Sequence, residues 1–203
     1  MTADLLTRRT EVERCGLIYA SAQKNLGAAG LTLVIVHPDL LSPPDRPVPA
    51  TLDYERQARG GSRINTPPTF AVYLLTLILR WIREQGGLAA MELRNRSKSH
   101  RLYRAIDESG GFYHCPVQAG ARSRVNVCFR LPSPSLEERF LAEAQERGLR
   151  NLRGHPSVGG IRVSLYNAVP GEAVADLAAF MEEFAERHAE VADNAETPDR
   201  QGR

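Results

Sequence analysis

The sequence has few cysteines, no long hydrophobic run and no excess of charge of one sign. Its three cysteines, Cys15, Cys115 and Cys128, are odd in number and have no C-x-x-C spacing. They indicate neither a disulfide framework nor a zinc site, and they are typical of a protein from the reducing cytoplasm. The longest apolar run, residues 70–79, is about half as long as the ~20 residues of a membrane span. We therefore expect no membrane insertion.

The composition is that of a globular protein. Hydrophobic residues make up 42% of the 203 residues and charged residues 25%. The 26 basic and 24 acidic residues nearly cancel, which argues against a chain built to bind nucleic acid. The length allows one large domain with a substantial core.

The first half of the chain combines two short strands, a loop and two helices. The apolar runs at residues 16–20 and 31–36 predict buried strands, and Lys24 lies in their connection. Residues 42–66 are rich in proline, glycine and polar side chains and predict a long irregular loop, either functional or exchanged with a partner. Thr66 is expected to cap the helix that follows. The two helices are predicted at residues 67–84 and 88–108.

The second half alternates strands and helices. Strands are predicted at residues 112–117, 124–131, near Leu152 and at 160–168, and helices at 135–147 and 171–191. Ser135 and Glu138 have the spacing of a capping box at the start of the first of these helices. We expect an α+β domain over residues 88–191, preceded by part of another layer in residues 1–87. Residues 192–203 are polar and predict a disordered tail.

Lys24 is a candidate catalytic residue. A lysine captures a carbonyl group only when its amine is deprotonated, a form that burial and nearby cations favour. The preceding strand would fix its position, and the small residues Ala20, Ser21 and Ala22 would let a flat cofactor approach. The alternative is an ordinary exposed loop lysine, which the local pattern by itself favours.

Two further stretches could bind anions. Asn65 and Thr66 precede a long helix, whose free N–H groups attract phosphate, although simple capping by Thr66 is the alternative. The glycine-rich turn at residues 154–160 is expected to bring His155 and Arg162 near each other. An arginine there could hold a carboxylate with two parallel hydrogen bonds, whereas the alternative is an exposed surface turn.

The segment 94–104 carries four arginines and one lysine, Lys98. It could follow a phosphate backbone, but a solvated helix face is the better interpretation. Leu93, Leu102 and Tyr103 are expected to form its one buried edge.

Three segments together resemble a known family. They are GLIYASAQKNLGAAGLTLVIVHPDLL (16–41), NTPPTFAVYLLTLILRWIREQGG (65–87) and GHPSVGGIRVSLYNAV (154–169), in the order and spacing of phosphoserine aminotransferases. This resemblance to a class V pyridoxal-phosphate family covers nearly all of residues 1–190. It implies an α/β protein of fold type I, comprising the end of the large-domain sheet and the complete small α+β C-terminal domain.

The resemblance also implies roles for single residues around the cofactor. Lys24 would form the Schiff base with pyridoxal 5'-phosphate, and Gln23 would contact the cofactor. Asn65 and Thr66 would reach the cofactor phosphate from the neighbouring subunit of a homodimer. The small-molecule site would therefore be shared between two chains.

The implied substrates are an amino acid and a 2-oxo acid. The reaction would transfer an amino group between glutamate and 3-phosphohydroxypyruvate in serine biosynthesis. His155 would contact the substrate phosphate, and Arg162 would hold the substrate carboxylate. Pro156 departs from the family, which has arginine there, so specificity for a phosphorylated substrate is open; Arg153 could replace the missing charge.

The resemblance begins part of the way through the family's sequence. The N-terminal half, including the aspartate that pairs with the pyridine nitrogen, is expected to lie before Met1. The leading hypothesis is therefore an enzyme that is active when this half is supplied. The alternatives are a non-catalytic truncated fragment that serves as a dimerisation or interaction module, and a related class V aminotransferase with a non-phosphorylated substrate.

Overall fold

The protein is described here by a computed structural model. It describes residues 1–43 and 46–195, and the side chains of this part up to residue 189. The chain divides into two compact units, Met1–Glu92 and Leu93–Arg203. Each unit has its own hydrophobic cluster.

The first unit contains an antiparallel hairpin of β1 (Leu17–Ser21) and β2 (Thr32–Val36). Both strands lie where the apolar runs predict them. The prediction that both strands are buried is wrong for β2, which has no buried residue. It holds only in part for β1, where Tyr19 is 61% exposed. Only Ile18 and Ala20 of β1 are buried, because this unit covers one face of a two-stranded hairpin and leaves the other open.

A small apolar cluster packs around the connection between these strands. It is formed by four buried residues, Leu5, Ala20, Ala22 and Leu26, with Leu6, Leu31, Leu33 and Leu75 packed against them. Leu75 belongs to helix α2 (Thr69–Glu84), so the helix contributes to the cluster that holds the hairpin connection.

The predicted irregular loop contains a short helix, α1 (Tyr54–Arg59). Asp53 is the N-cap of this helix, and its Oδ1 accepts a hydrogen bond from the backbone N–H of Arg56 at 3.0 Å. Asp53 is 6% exposed, so the cap is a buried one. Asp is among the preferred N-cap residues, so a local signal for this helix was present in the sequence.

Helix α2 begins at Thr69 and has no side-chain cap, so the prediction that Thr66 caps it is wrong. The cap position is taken by Pro68. A residue before proline is restricted to extended backbone, and two prolines in succession delay the start of the helix. Thr66 therefore lies too far from the first free N–H groups.

The second unit packs helices against a second antiparallel strand pair. The pair consists of β3 (Asn126–Phe129) and β4 (Ile161–Ser164). The helices are the C-terminal part of α3 (Gly87–Asp107), α4 (Pro134–Glu146) and α5 (Gly171–Ala195). The helices and the strands at 124–131 and 160–168 lie where the sequence predicts them, whereas the strand predicted near Leu152 is reduced to a single bridge between Arg153 and Ile161.

The core of the second unit is rich in aromatic rings. The rings in contact are Phe112, Tyr113, Phe129, Phe140, Phe180 and Phe184. The hydroxyl of Tyr113 donates to the backbone oxygen of Met181 at 2.8 Å. The strand predicted at residues 112–117 is reduced to a single bridge between His114 and Arg130, because Phe112 and Tyr113 turn into the core.

The N-cap of helix α4 lies two residues before the predicted one. Ser133 is the N-cap, and its Oγ accepts a hydrogen bond from the backbone N–H of Leu136 at 3.3 Å. The proline that follows Ser133 fits the first helical position. The capping box predicted from Ser135 and Glu138 is therefore wrong, and Glu138 forms an ion pair with Arg153 instead.

The predicted domain limits differ slightly from the observed elements. The boundary between residues 87 and 88 lies at the start of α3, whereas the division between the two units falls inside that helix. Helix α5 continues to Ala195, so residues 192–195 are helical rather than part of the tail. The rest of the predicted tail, residues 196–203, lies outside the described residues. The domain assignment stays a prediction.

None of the helices in residues 1–43 and 46–195 combines the length and hydropathy of a membrane span. The same part of the chain holds no group of three or more His, Cys, Asp or Glu side chains that could bind a metal ion. The cytoplasmic location inferred from the cysteines stays a prediction.

A buried histidine makes the second unit sensitive to acid. His188 is 5% exposed, and its ring lies 4.4 Å from that of Phe184. Burial lowers the pKa of His188 below its usual value, and the charges of Arg139 and Arg187 act in the same direction. Glu143 lies 3.7 Å from Nε2 and opposes this effect only in part.

We expect the free energy of unfolding to decrease as the pH falls below about 6.5, the ordinary pKa of histidine. The unfolded chain takes up a proton there before the folded chain does, so protonation favours unfolding. Urea titrations at several pH values should show a steeper loss for the wild type than for His188→Phe. The exposed His100, replaced by glutamine, serves as the control and should leave the slope unchanged.

Candidate functional site

The connection between β1 and β2 holds Lys24 on a tightly anchored turn. The backbone oxygen of Ala22 accepts a hydrogen bond from the N–H of Leu26 at 3.1 Å, which closes one helical turn around Lys24. The side-chain amide of Asn25 donates to the backbone oxygen of Ala3 at 2.9 Å. Ala22 and Leu26 belong to the small core. The residues on both sides of Lys24 are therefore fixed by packing and by hydrogen bonds.

The same turn directs Gln23 and Lys24 outward. Gln23 is exposed and Lys24 is partly exposed. Within the described part of its unit, the Lys24 amine has no hydrogen bond or ion pair. Ala20 and Ala22 are buried in the small core, and the expectation that small residues here let a flat cofactor approach stays a prediction.

A count of lysines singles out Lys24, and sequence reasoning missed this signal. The chain contains two lysines, Lys24 and Lys98. Lys98 is 5% exposed, and its ammonium donates to the backbone oxygens of Tyr166 at 2.8 Å and Val169 at 3.0 Å. Burial lowers the pKa of Lys98 to about 8, and the charge of Arg94 adds to the effect. Lys98 is therefore engaged, whereas the Lys24 amine is available to a ligand.

Asn65 and Thr66 lie on the surface of the first unit. Both are exposed, and the Asn65 amide donates to the backbone oxygen of Thr66 at 3.4 Å. Asn65 lines a groove of about 440 Å³ with residues 30–34 and the prolines before α2. Lys24 is not among the residues of this groove. In a single chain, the groove that contains the Asn65 amide therefore does not contain the Lys24 amine.

His155 begins a tight turn and points one ring nitrogen outward. Its backbone oxygen accepts hydrogen bonds from the N–H groups of Val158 at 2.9 Å and Gly159 at 2.8 Å. Its Nδ1 lies 2.7 Å from the Ser157 hydroxyl oxygen and 3.2 Å from the Ser157 backbone nitrogen, and a neutral ring that accepts a hydrogen bond from this N–H carries its proton on Nε2. Arg130, which the sequence did not suggest, donates to the backbone oxygen of Val158 and braces the turn. His155 can thus donate one hydrogen bond to a ligand.

Arg162 lies on β4, opposite Cys128 of β3. Its guanidinium has no hydrogen bond or ion pair within the described residues of its unit. It lines a groove of about 490 Å³ with the loop 148–152 and with Tyr166 and Val169. His155 is not part of this groove and forms no hydrogen bond with Arg162, and the predicted proximity of the two side chains stays a prediction.

Arg153, the predicted replacement for a missing arginine at Pro156, is already paired. Its two terminal guanidinium nitrogens, Nη1 and Nη2, donate to the two carboxylate oxygens of Glu138 at 2.5 and 2.7 Å. The hydrogen bonds from Arg153 lower the pKa of Glu138. A ligand phosphate would have to compete with this carboxylate.

Comparison with known proteins shows the family to which this chain belongs. The model of the aminotransferase class-V family matches residues 1–177. The chain therefore belongs to the class-V aminotransferases, and the predicted family and fold class are confirmed.

Several of the proteins similar to this chain are phosphoserine aminotransferases. That of Geobacillus kaustophilus (strain HTA426) is 54% identical over 189 residues, which are 93% of this chain and 52% of that protein. The structure of the Bacillus circulans subsp. alkalophilus enzyme matches with a TM-score of 0.89 and 44% identity, covering 93% of this chain and 52% of the other. The pyridoxal-phosphate-bound enzyme of Trichomonas vaginalis matches with a TM-score of 0.85 and 41% identity, covering 90% and 52%. The chain thus spans about half the length of the curated relatives it matches.

Proposed function

We propose that this chain supplies the cofactor lysine and the small domain of a phosphoserine:2-oxoglutarate aminotransferase that uses pyridoxal 5'-phosphate. The observation that carries the proposal is the Lys24 turn, which leaves the lysine amine available to a ligand. The chain that holds this turn is 54% identical to a phosphoserine aminotransferase. The reaction would transfer an amino group between glutamate and 3-phosphohydroxypyruvate in serine biosynthesis. We place the enzyme in the cytoplasm.

The residues of the Lys24 turn fit the cofactor, because a primary amine lies at the surface of its unit between neighbours that are held in place. When bound, pyridoxal phosphate supplies an aldehyde for attachment and a ring that accepts electrons from the substrate α-carbon. The Lys24 Nζ would be the attacking nucleophile. The same Nζ, as a neutral amine, would take up and return the proton of the substrate α-carbon. Gln23, exposed beside it, would contact the cofactor.

Asn65 and Thr66 would bind the cofactor phosphate from the partner subunit of a homodimer. Their amide and hydroxyl are exposed donors of the kind that phosphate oxygens accept. The groove of Asn65 does not include Lys24 in one chain, which favours a second copy as the source of these donors.

Arg162 and His155 would hold the substrate. The Arg162 guanidinium, without an ion pair in the described part of its unit, can bind a carboxylate with two parallel bonds. The His155 Nε2–H can donate to a phosphate. Because Pro156 has no N–H and Arg153 is paired with Glu138, a class V aminotransferase with a non-phosphorylated substrate is the second candidate.

Absorbance of the chain, mixed with the N-terminal half of a phosphoserine aminotransferase and incubated with pyridoxal phosphate, tests the proposal. We expect L-glutamate and L-phosphoserine to change the spectrum of the attached cofactor, and L-serine and L-alanine to leave it unchanged. A preference for L-serine or L-alanine would favour the second candidate. No change with any donor, although the cofactor is attached, would favour a non-catalytic dimerisation or interaction module.

A further inference from the structure

Buried polar side chains tie helix α3 to the segment that follows β4. The ammonium of Lys98 donates to the backbone oxygens of Tyr166 and Val169 at 2.8 and 3.0 Å. Three residues earlier on the helix, the side-chain amide of Asn95 donates to Oδ1 of Asn167 at 2.7 Å. Residues three apart lie on the same face of a helix. One face of α3 therefore holds both ends of residues 166–169.

This segment also forms part of the Arg162 groove. Tyr166 and Val169, the two acceptors of Lys98, line the groove together with Arg162. Asn95 and Asn167 are 1% and 8% exposed, so the connection behind the groove wall is shielded from water. Movement of residues 166–169 would change the shape of the groove around the guanidinium.

A lysine is an unusual choice for filling a core position. A buried ammonium loses its hydration, and carbonyl hydrogen bonds compensate this loss only in part. With its pKa lowered to about 8, Lys98 still carries its proton at neutral pH and can donate both bonds. Lys98 therefore contributes to the structure by fixing the positions of the Tyr166 and Val169 carbonyl groups rather than by packing.

We propose that Lys98 is a positioning residue for the carboxylate site at Arg162, because it fixes the wall of the groove formed by residues 166–169. The inference rests on the proposed function, in which Arg162 binds the substrate carboxylate. It adds a residue that acts through this wall and does not touch the substrate.

Titration of the full chain with 2-oxoglutarate, followed by the NMR signal of the Arg162 Nε–H group, tests the inference. Lys98→Met should weaken binding by about 10-fold, the size of one lost contact. It should also accelerate hydrogen exchange of the amides of residues 166–169. Lys98→Arg, which keeps a charged donor, should recover part of the affinity. Arg101→Met, an exposed cation of the same helix, is the control and should bind like the wild type.

The measurements are made at a temperature where circular dichroism shows every variant to be folded. Lys98→Gln replaces the methionine variant if that one unfolds. Wild-type affinity in the Lys98 variant, combined with lost binding in Arg162→Met, would overturn the positioning role and leave the Arg162 site standing. Wild-type affinity in Arg162→Met, or no binding by the wild type, would refute the proposed role of Arg162, and the positioning role would fail with it.

Discussion

Replacing Lys24 by alanine should abolish the attachment of pyridoxal phosphate that survives borohydride reduction. The chain has two lysines, and the second, Lys98, is buried and bonded to two carbonyl groups. Alanine at position 24 therefore removes the available lysine amine. Peptide mass spectrometry after reduction should find the cofactor mass on the Lys24 peptide of the wild type, at one per chain, and none in the variant.

Lys24→Arg separates the chemistry of the amine from its charge. Arginine keeps the positive charge but is not a primary amine, so it should also fail to hold the cofactor after reduction. The Met1 amine, which donates to the backbone oxygen of Tyr19 at 3.1 Å, is the other amine that could react. Label recovered on Met1 or on Lys98, with equal yield in Lys24→Ala, would show that Lys24 is not the attachment site.

Replacing Gly154 by alanine should destabilise the second unit by about 3 kcal/mol or more, the upper end of overpacking effects. Gly154 is buried at the start of the His155 turn, and its N–H donates to the backbone oxygen of Gly160 at 2.7 Å. A Cβ at this position would lie 2.0 Å from the backbone oxygen of Gly159. Backbone atoms cannot move aside as a flexible side chain can, so the turn itself would have to open.

Gly120→Ala is the matched control for this substitution. No atom lies within 4 Å of its added Cβ, so the change in stability should be within about 0.5 kcal/mol. Urea denaturation of both variants measures the difference. Equal midpoints would show that the turn accepts a side chain at position 154, contrary to the close approach of the two backbone segments.

The regular elements were largely predictable because their signals are local. The apolar runs placed β1 and β2, and the start and end signals placed α3 within one or two residues. A helix depends on bonds between residues four apart, so its pattern is contained in a short stretch of sequence.

Helix caps and burial were predicted less well. Ser133 caps α4 in place of Ser135, although both have a suitable hydroxyl, because the choice depends on which N–H group each oxygen meets. Leu93 is 69% exposed and not part of a buried edge of α3. Lys98, on a segment expected to face solvent, is buried instead. Apolar spacing does not say which face of a helix meets the rest of its unit.

The sequence by itself determined the family, the candidate lysine and the main strands and helices, because matched motifs and local periodicity are contained in the chain. The tertiary structure decided which candidates are available for binding. It bonded Lys98 to carbonyl groups 68 and 71 residues away, paired Arg153 with Glu138, and left Lys24 and Arg162 without ion pairs in the described parts of their units. The physical reason is that a charged side chain is engaged or available according to partners that folding brings to it from distant positions in the sequence.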